Sequence, residues 1–269
     1  MQLAFTKMNG AGNDFILIDN RDESVQLNAT QIEQLCHRQK GIGADGLMLW
    51  ETNKTGAADW SWKFYNNDGG SAEMCGNGAR CFAAFISRNL GSTAPLSFET
   101  QAGVIQAHFS DQLITVTLTP PEHLQLDQQI DLNGGNLTSH SLNTGVPHAV
   151  VFVDDADQAQ VIEQGRAIRQ HPLFGPSGTN VNFVQILEPG LIRVRTYERG
   201  VEAETLACGT GVSAAAMITS QIENAAPPIS VQVQGGDTLT VDFRSSDKGF
   251  TDVKLTGPAD FVFDGVIEI

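Results

Sequence analysis

The chain has 269 residues, 41% of them apolar, and carries a formal net charge of −15 at pH 7. That length suits one large or two modest domains with a real core, and no apolar run nears the ~20 residues of a membrane span. The acidic balance argues against nucleic acid and anionic membrane surfaces as partners, because both attract basic patches.

In chain order, Leu3, Phe5 and Lys7 alternate weakly and predict a strand entering a turn at residues 9–14. Residues 15–19 form a short apolar run, read as a buried strand. Across residues 30–40, Ile32, Leu35 and Cys36 fall at helical spacing, with Thr30 as N-cap and Gly41 as stop. Residues 47–50 and 60–66 read as strands, and a first cysteine turn then opens a helix that ends near Gly91. Three strands follow at 96–100, 104–109 and 113–118, and Pro120-Pro121 stops the run. The Gln/Asp/Asn-rich stretch up to His140 reads as a boundary. Beyond it come a strand at 148–154, a helix at 157–170, and strands at 181–187 and 191–197. A second cysteine turn with its helix is followed by strands at 229–234, 239–243, 251–255 and 261–269.

The two turns carry the chemistry. Cys75-Gly76-Asn77-Gly78 and Cys208-Gly209-Thr210-Gly211 share the pattern C-G-x-G, and each runs into small and apolar residues. The first glycine permits close approach to the backbone, and the second permits the turn into a helix. Each sulfur then stands at a helix N-terminus, where orphan N–H groups and the dipole favour a thiolate. The following helices, 79–86 and 212–218, are apolar on nearly all sides apart from Arg80 and Ser213, so each must be covered by strands. The expected fold is α+β: two pseudo-symmetric domains, each of mixed strands wrapped around a central helix, with a cleft between them. The first domain is expected at 1–119, with the C-terminal strand 262–269 returning to it, and the second at 120–261.

Four cysteines in a chain of this size do not form a disulfide framework, and Cys36 and Cys81 read as buried and inert. Zinc is not expected, because Cys75 and Cys81 lack C-x-x-C spacing. The N-terminal segment lacks the apolar core of a signal peptide, so a cytoplasmic location is expected. Two thiols on opposite walls of a cleft could form a disulfide, hold a metal or carry protons separately. Helix N-termini favour an anion such as a carboxylate beside them. A carboxylate whose α-carbon lies between two thiols describes a two-base racemase or epimerase, with the N–H groups of Gly76, Asn77, Gly209 and Thr210 stabilising the developing enediolate. No pyridoxal-type site is apparent, which points to a cofactor-independent route. A proline or hydroxyproline racemase, a thiol redox protein and an amino acid binding module are the competing readings.

The motifs together resemble those of the diaminopimelate epimerase family nearly end to end. They include residues 7–15 around Asn13, Gly41-Ile42-Gly43-Ala44-Asp45-Gly46, residues 64–69 around Asn66, Gly145-Val146-Pro147-His148, Thr179-Asn180-Val181-Asn182-Phe183, Tyr197-Glu198-Arg199-Gly200 and both cysteine turns. The resemblance implies interconversion of LL- and meso-2,6-diaminopimelate on the route to lysine and peptidoglycan. It implies Cys75 and Cys208 as the acid–base pair, with His148 and Glu198 helping to set their protonation. By the same resemblance Asn13, Asn66, Asn180 and Arg199 hold the distal end of the substrate, and Gly76, Asn77, Gly209 and Thr210 hold the reacting carboxylate. A small-molecule substrate and a homodimer are the expected partners. The chain departs from some members at Gly46 and Val146, where they carry Gln and Asn, and it is one residue longer between Arg199 and Cys208.

Overall fold

The computed structural model describes residues 2–132, 135–247 and 249–269. The chain divides into two compact units, Met1–Thr117 with Gly257–Ile269, and Leu118–Thr256. Both follow one plan, in which strands surround a long helix that begins at a cysteine.

In the first unit, β1 (Gln2–Gly10) pairs antiparallel with β2 (Asn13–Asp19). Helix α1 (Ala29–Cys36) then crosses over to β3 (Gly46–Thr52), which runs parallel to β2. Strand β4 (Trp60–Asn66) returns antiparallel to β3. After α2 (Gly76–Leu90), strands β5 (Leu96–Thr100), β6 (Gly103–Ser110) and β7 (Leu113–Thr117) form an antiparallel run. Strands β2 and β3 are apolar almost throughout because both faces are covered. Ile16, Ile18, Leu47 and Leu49 pack with Ile32 and Leu35 of α1. On the other face Phe15 and Met48 lie against Gly78, and Trp50 meets Phe85 edge-on at 5.9 Å between ring centroids. Every residue of α2 from Gly76 to Ile86 is buried, which accounts for its lack of a polar face. The helix stops at Gly91, which takes the left-handed conformation at φ 63°.

Helix α1 differs from its expected span of 30–40. Its cap is Asn28 rather than Thr30, because Asn28 and Gln31 complete a capping box: Asn28 Oδ1 accepts the Gln31 N–H at 2.9 Å, and Gln31 Oε1 accepts the Asn28 N–H at 3.0 Å. The helix ends at Cys36, and the N–H groups of Ile42 and Gly43 turn back to the Leu35 carbonyl.

In the second unit the polar stretch expected to be a boundary is a hairpin of β8 (Glu122–Leu132) and β9 (Gly135–Asn143). Strand β8 is polar because most of its residues are exposed, with Ile130 its buried anchor, while β9 buries Ser139, His140 and Leu142. The part of that stretch at 133–134 lies outside the described residues. Strand β10 (Pro147–Phe152) pairs with β9 and runs parallel to β11 (Asn180–Glu188). The expected helix 157–170 is a 3₁₀ turn, Ala156–Gln158, followed by α3 (Val161–Arg169). Strand β12 (Leu191–Glu198) pairs with β11, and the short β13 (Ala203–Thr205) folds back on it. After α4 (Gly209–Glu223) come β14 (Ile229–Val233), β15 (Thr238–Ser246) and β16 (Gly249–Gly257). The last strand, β17 (Asp260–Glu268), belongs to the first unit, where it pairs antiparallel with β1.

Alternation along β10, β11 and β12 sorts their side chains. Ala149, Val151, Val181, Phe183 and Tyr197 pack with Val161 and Ile168 of α3. The residues of opposite parity include His148, Asn182 and Thr196, and a Cβ added at Gly211 of α4 would meet Asn182 and His148. A polar cluster thus occupies the helix-facing side of an otherwise apolar sheet.

Replacing Asn28 by Ala removes the side-chain half of the capping box, and about 1 kcal/mol of unfolding free energy should be lost. Urea denaturation measures this; Asn28→Ser should keep most of the stability.

Candidate active site

The first cysteine turn is built by the start of α2. Cys75 is its N-cap, with extended backbone (φ −146°, ψ 119°), and its half-buried Sγ accepts the Gly78 N–H at 3.4 Å. The turn is pressed against its surroundings. A Cβ on Gly78 would overlap the Met48 methyl, and one on Gly10 would stand 2.8 Å from the Asn77 carbonyl oxygen. Glycine is therefore required at both positions by close approach.

Behind the turn lies a continuous polar chain. The Arg80 guanidinium is fully buried and donates to Asn77 Oδ1 at 2.9 Å, the Gly76 carbonyl at 3.3 Å and the Pro258 carbonyl at 3.2 Å. Asn77 Nδ2 donates to Asn13 Oδ1 at 2.7 Å, and Asn13 Nδ2 donates to Asp45 at 3.0 Å. Arg38 reaches Asp45 at 2.6 Å and grips both oxygens of Asp14 at 2.9 Å, while the buried Lys7 ammonium binds Asp14 at 2.8 Å and also the Gly43 carbonyl. Burial pushes the Asp14 carboxyl up, but the hydrogen bonds and charges of Arg38 and Lys7 outweigh it and hold its pKa below 3.8. Asn13 is thus fixed at both ends of its amide. Asn66 ends β4 with an exposed side chain, its own N–H bound to the Gly70 carbonyl at 2.8 Å. At Gly46, paired with Asn66, a Cβ would lie 2.7 Å from both the Phe64 ring and the Tyr65 carbonyl oxygen. No longer side chain fits there without repacking β4.

The second cysteine turn is built by the start of α4. Cys208 is again an extended N-cap (φ −123°, ψ 109°), and its Sγ lies 3.5 Å from the Thr210 hydroxyl. That hydroxyl is 2.9 Å from His148 Nε2, and the Thr144 hydroxyl donates to the Thr210 carbonyl at 3.0 Å. His148 Nδ1 lies 3.2 Å from Asn182 Nδ2. Burial, aided by the Arg199 charge, pushes the His148 pKa down to about 3, so the ring is neutral near pH 7. Glu198 and Arg199 follow at the end of β12, both half-buried. Asn180 accepts the Arg199 N–H at 2.8 Å and donates to the Pro147 carbonyl at 3.3 Å, so its amide holds Arg199 in place. The longer segment between Arg199 and Cys208 is pinned as well: Arg195 binds Glu204 through two contacts of 2.6 and 2.7 Å.

The other two cysteines differ in kind. Neither caps a helix N-terminus, and although Cys208 is buried as well, it is at Cys36 and Cys81 that burial pushes the thiols up to about 12. Among the described residues no three His, Cys, Asp or Glu side chains cluster as metal ligands.

The sequence profile described as Diaminopimelate epimerase matches residues 5–124 and 140–262. A diaminopimelate epimerase of Aquifex aeolicus is 42% identical over 98% of this chain and 97% of its own length. One of Hydrogenobaculum is likewise 42% identical, over 98% of each protein. The chain belongs to the diaminopimelate epimerase family. Its fold extends more widely. A hydroxyproline epimerase of Agrobacterium vitis superposes with a TM-score of 0.75 at 17% identity, over 99% of this chain and 92% of that one. A Bacillus anthracis protein of the PhzF family gives 0.76 at 14% identity, over the full length of both.

As a member of the diaminopimelate epimerase family the chain shows both cysteine turns, but several residues that organise them are not apparent from its motifs. Arg80 looks like a lone charge in an apolar helix, yet it anchors the first turn. Asp14 lies at the start of β2, and Arg38 and Asp45 lie in the turns after α1, where charges are commonplace. Asn182 and Thr196 are polar residues at inward strand positions, and Thr144 lies in the bend after β9.

Two pH windows follow. The folded-state pKa of His148 is depressed, so as pH falls from about 6.5 towards about 3 the unfolded chain takes up a proton that the native chain refuses, and stability declines. Asp14 is also depressed, so its contribution is present above about 3.8 and is lost as pH falls through its folded value. In melting temperatures measured from pH 7 to about 2.5, the fall between pH 7 and 4 should be less steep for His148→Gln than for the parent, while Asp14→Asn should flatten the profile only below about 4.

Proposed function

We propose that the protein is an isomerase that interconverts LL- and meso-2,6-diaminopimelate without a cofactor, using Cys75 and Cys208 as its two acid–base groups. The observation that carries this reading is the matched pair of N-capping cysteines, each opening a buried helix, in a chain of this family. One cysteine, as thiolate, takes the α-proton, and the C–H electron pair moves into the carboxylate as an enediolate. The other, as thiol, returns a proton to the opposite face of the carbon. The proton count closes: one thiol gains what the other loses, and the reverse reaction exchanges their roles.

The demanding step is ionisation of the α-carbon, a far weaker acid than a thiol. First-turn N–H groups of Gly76, Asn77, Gly209 and Thr210 stand at the positive ends of the helix dipoles, so they suit the growing negative charge on the carboxylate. His148 and Glu198 help to set the protonation of the thiols. Asn13, Asn66 and Arg199 take the distal amino acid end, where a guanidinium suits a carboxylate and amide oxygens suit an ammonium. Asn180 assists by fixing Arg199. The enzyme serves lysine and peptidoglycan precursor synthesis in the cytoplasm. We include a homodimer in this reading, supported by the exposed Val262 and Val266 of β17, 56% and 65% accessible.

Proton NMR in D2O tests the reaction directly. The reduced protein should erase the α-proton signal of LL-diaminopimelate while the meso isomer grows in. Cys75→Ser and Cys208→Ser should each slow epimerisation by about 10²-fold or more. Exchange with proline or 4-hydroxyproline but not with diaminopimelate would replace the substrate assignment, and full activity in both variants would remove the two-thiol mechanism.

A further inference from the structure

Asn182 lies on β11 between Val181 and Phe183, with no exposed surface, and its amide makes contacts of fixed polarity. Nδ2 is 3.0 Å from the Ala149 carbonyl oxygen, which can only accept, so the nitrogen end of the amide faces β10. The oxygen end accepts the Thr196 hydroxyl at 2.9 Å. The same Nδ2 faces His148 Nδ1 at 3.2 Å. An amide nitrogen only donates, so Nδ1 must accept and carries no proton. The proton of the neutral ring is therefore on Nε2, which faces Thr210 Oγ1 at 2.9 Å. With its oxygen accepting from the ring, the Thr210 hydroxyl is free to direct its own proton to Cys208 Sγ, 3.5 Å away.

We propose that Asn182 is a positioning residue that fixes the Nε2–H tautomer of His148, and that this tautomer makes the Thr210 hydroxyl a hydrogen-bond donor to the Cys208 thiolate. All donors run one way: Thr196 to Asn182, Asn182 to His148, His148 to Thr210, Thr210 to Cys208. A thiolate that accepts a hydroxyl proton is favoured over the thiol. The neutral state of His148 agrees, since an imidazolium would turn a second N–H towards the Asn182 amide nitrogen. The titratable and charged groups brought near by neighbouring strands are Glu198 and Arg199 at the end of β12, and His140, which sits opposite Val150 on β9. Arg199 presses His148 further towards the neutral form. The proposal rests on the reading of Cys208 as an acid–base thiol, but its test uses no substrate.

The test is the pH dependence of Cys208 alkylation by iodoacetamide in full-length Cys75→Ser protein, read by mass spectrometry of the Cys208 peptide. Cys36 and Cys81 are buried with thiols pushed up to about 12, so they do not compete. Thr210→Ser, which keeps the hydroxyl, should hold the parent midpoint. Thr210→Val and Asn182→Leu should raise it by about one pH unit or more, a tenfold loss of thiolate per unit. Nitrogen NMR of the labelled imidazole at pH 7 should show His148 protonated at Nε2 in the parent. An Nδ1–H tautomer there, or an unchanged midpoint in Thr210→Val, would overturn the proposal. So would an unchanged midpoint in an Asn182→Leu protein that melts near the parent temperature; should that variant not fold, Thr210→Val and the parent tautomer decide. Absence of diaminopimelate turnover would strike the functional reading and leave the alkylation result intact.

Discussion

The constraint on which everything else rests is close approach at the start of the two long helices. At each turn a glycine stands where a Cβ would strike a neighbour: Gly78 against Met48 in the first unit, Gly211 against Asn182 in the second. Removing the side chain lets the first helical turn sink into the strands instead of riding over them. That depth places the N-terminal N–H groups at the cysteine. It also means that the strand residues beneath the turn touch helix backbone, so their polarity becomes part of the site. A helix that starts in a buried position brings polar groups with it, and both units surround the first turn with polar side chains.

They do so with different chemistry. The first unit uses charge. A buried guanidinium at Arg80 holds the Asn77 amide and the Gly76 carbonyl, and the chain runs on through Asn13 to the Asp45–Arg38–Asp14–Lys7 cluster. Amide and carbonyl oxygens satisfy the buried Arg80, and the opposite charge of Asp14 offsets the burial of Lys7. The second unit uses neutral groups: a hydroxyl, an amide, an imidazole kept neutral by burial, and a second hydroxyl. Two units of one plan thus surround their cysteines with environments that answer differently to pH.

Much of this was legible from the chain alone. The repeated C-G-x-G and the all-round apolar helices after it announce buried helices with a cysteine at each start, and continuous apolar runs such as Phe15-Ile16-Leu17-Ile18 announce strands covered on both faces. The β8–β9 hairpin was not legible, because most residues of β8 face solvent and its composition then resembles that of a linker. The cap of α1 was misplaced because Thr30 and Asn28 are both good cap residues, and the reciprocal bond with Gln31 decides between them. The networks were the least legible. Asn182 announces itself only as a polar residue in V-N-F, and its partners Ala149 and Thr196 lie far off in sequence. Register between three strands, not any local pattern, brings them together.

The four cysteines show how far position outweighs residue type. Cys81 lies in the same helix as Cys75, fewer than two turns further on, yet it is enclosed by side chains, and desolvation drives its thiol up to about 12. Cys36 ends a helix rather than beginning one, and burial has the same effect there. Cys75 and Cys208 alone stand at helix N-caps, where the backbone is extended and the sulfur meets a polar partner: the Gly78 N–H for one, the Thr210 hydroxyl for the other. A thiol becomes a usable acid–base group where the fold supplies donors to its anion, and a thiol elsewhere in the same core is packing.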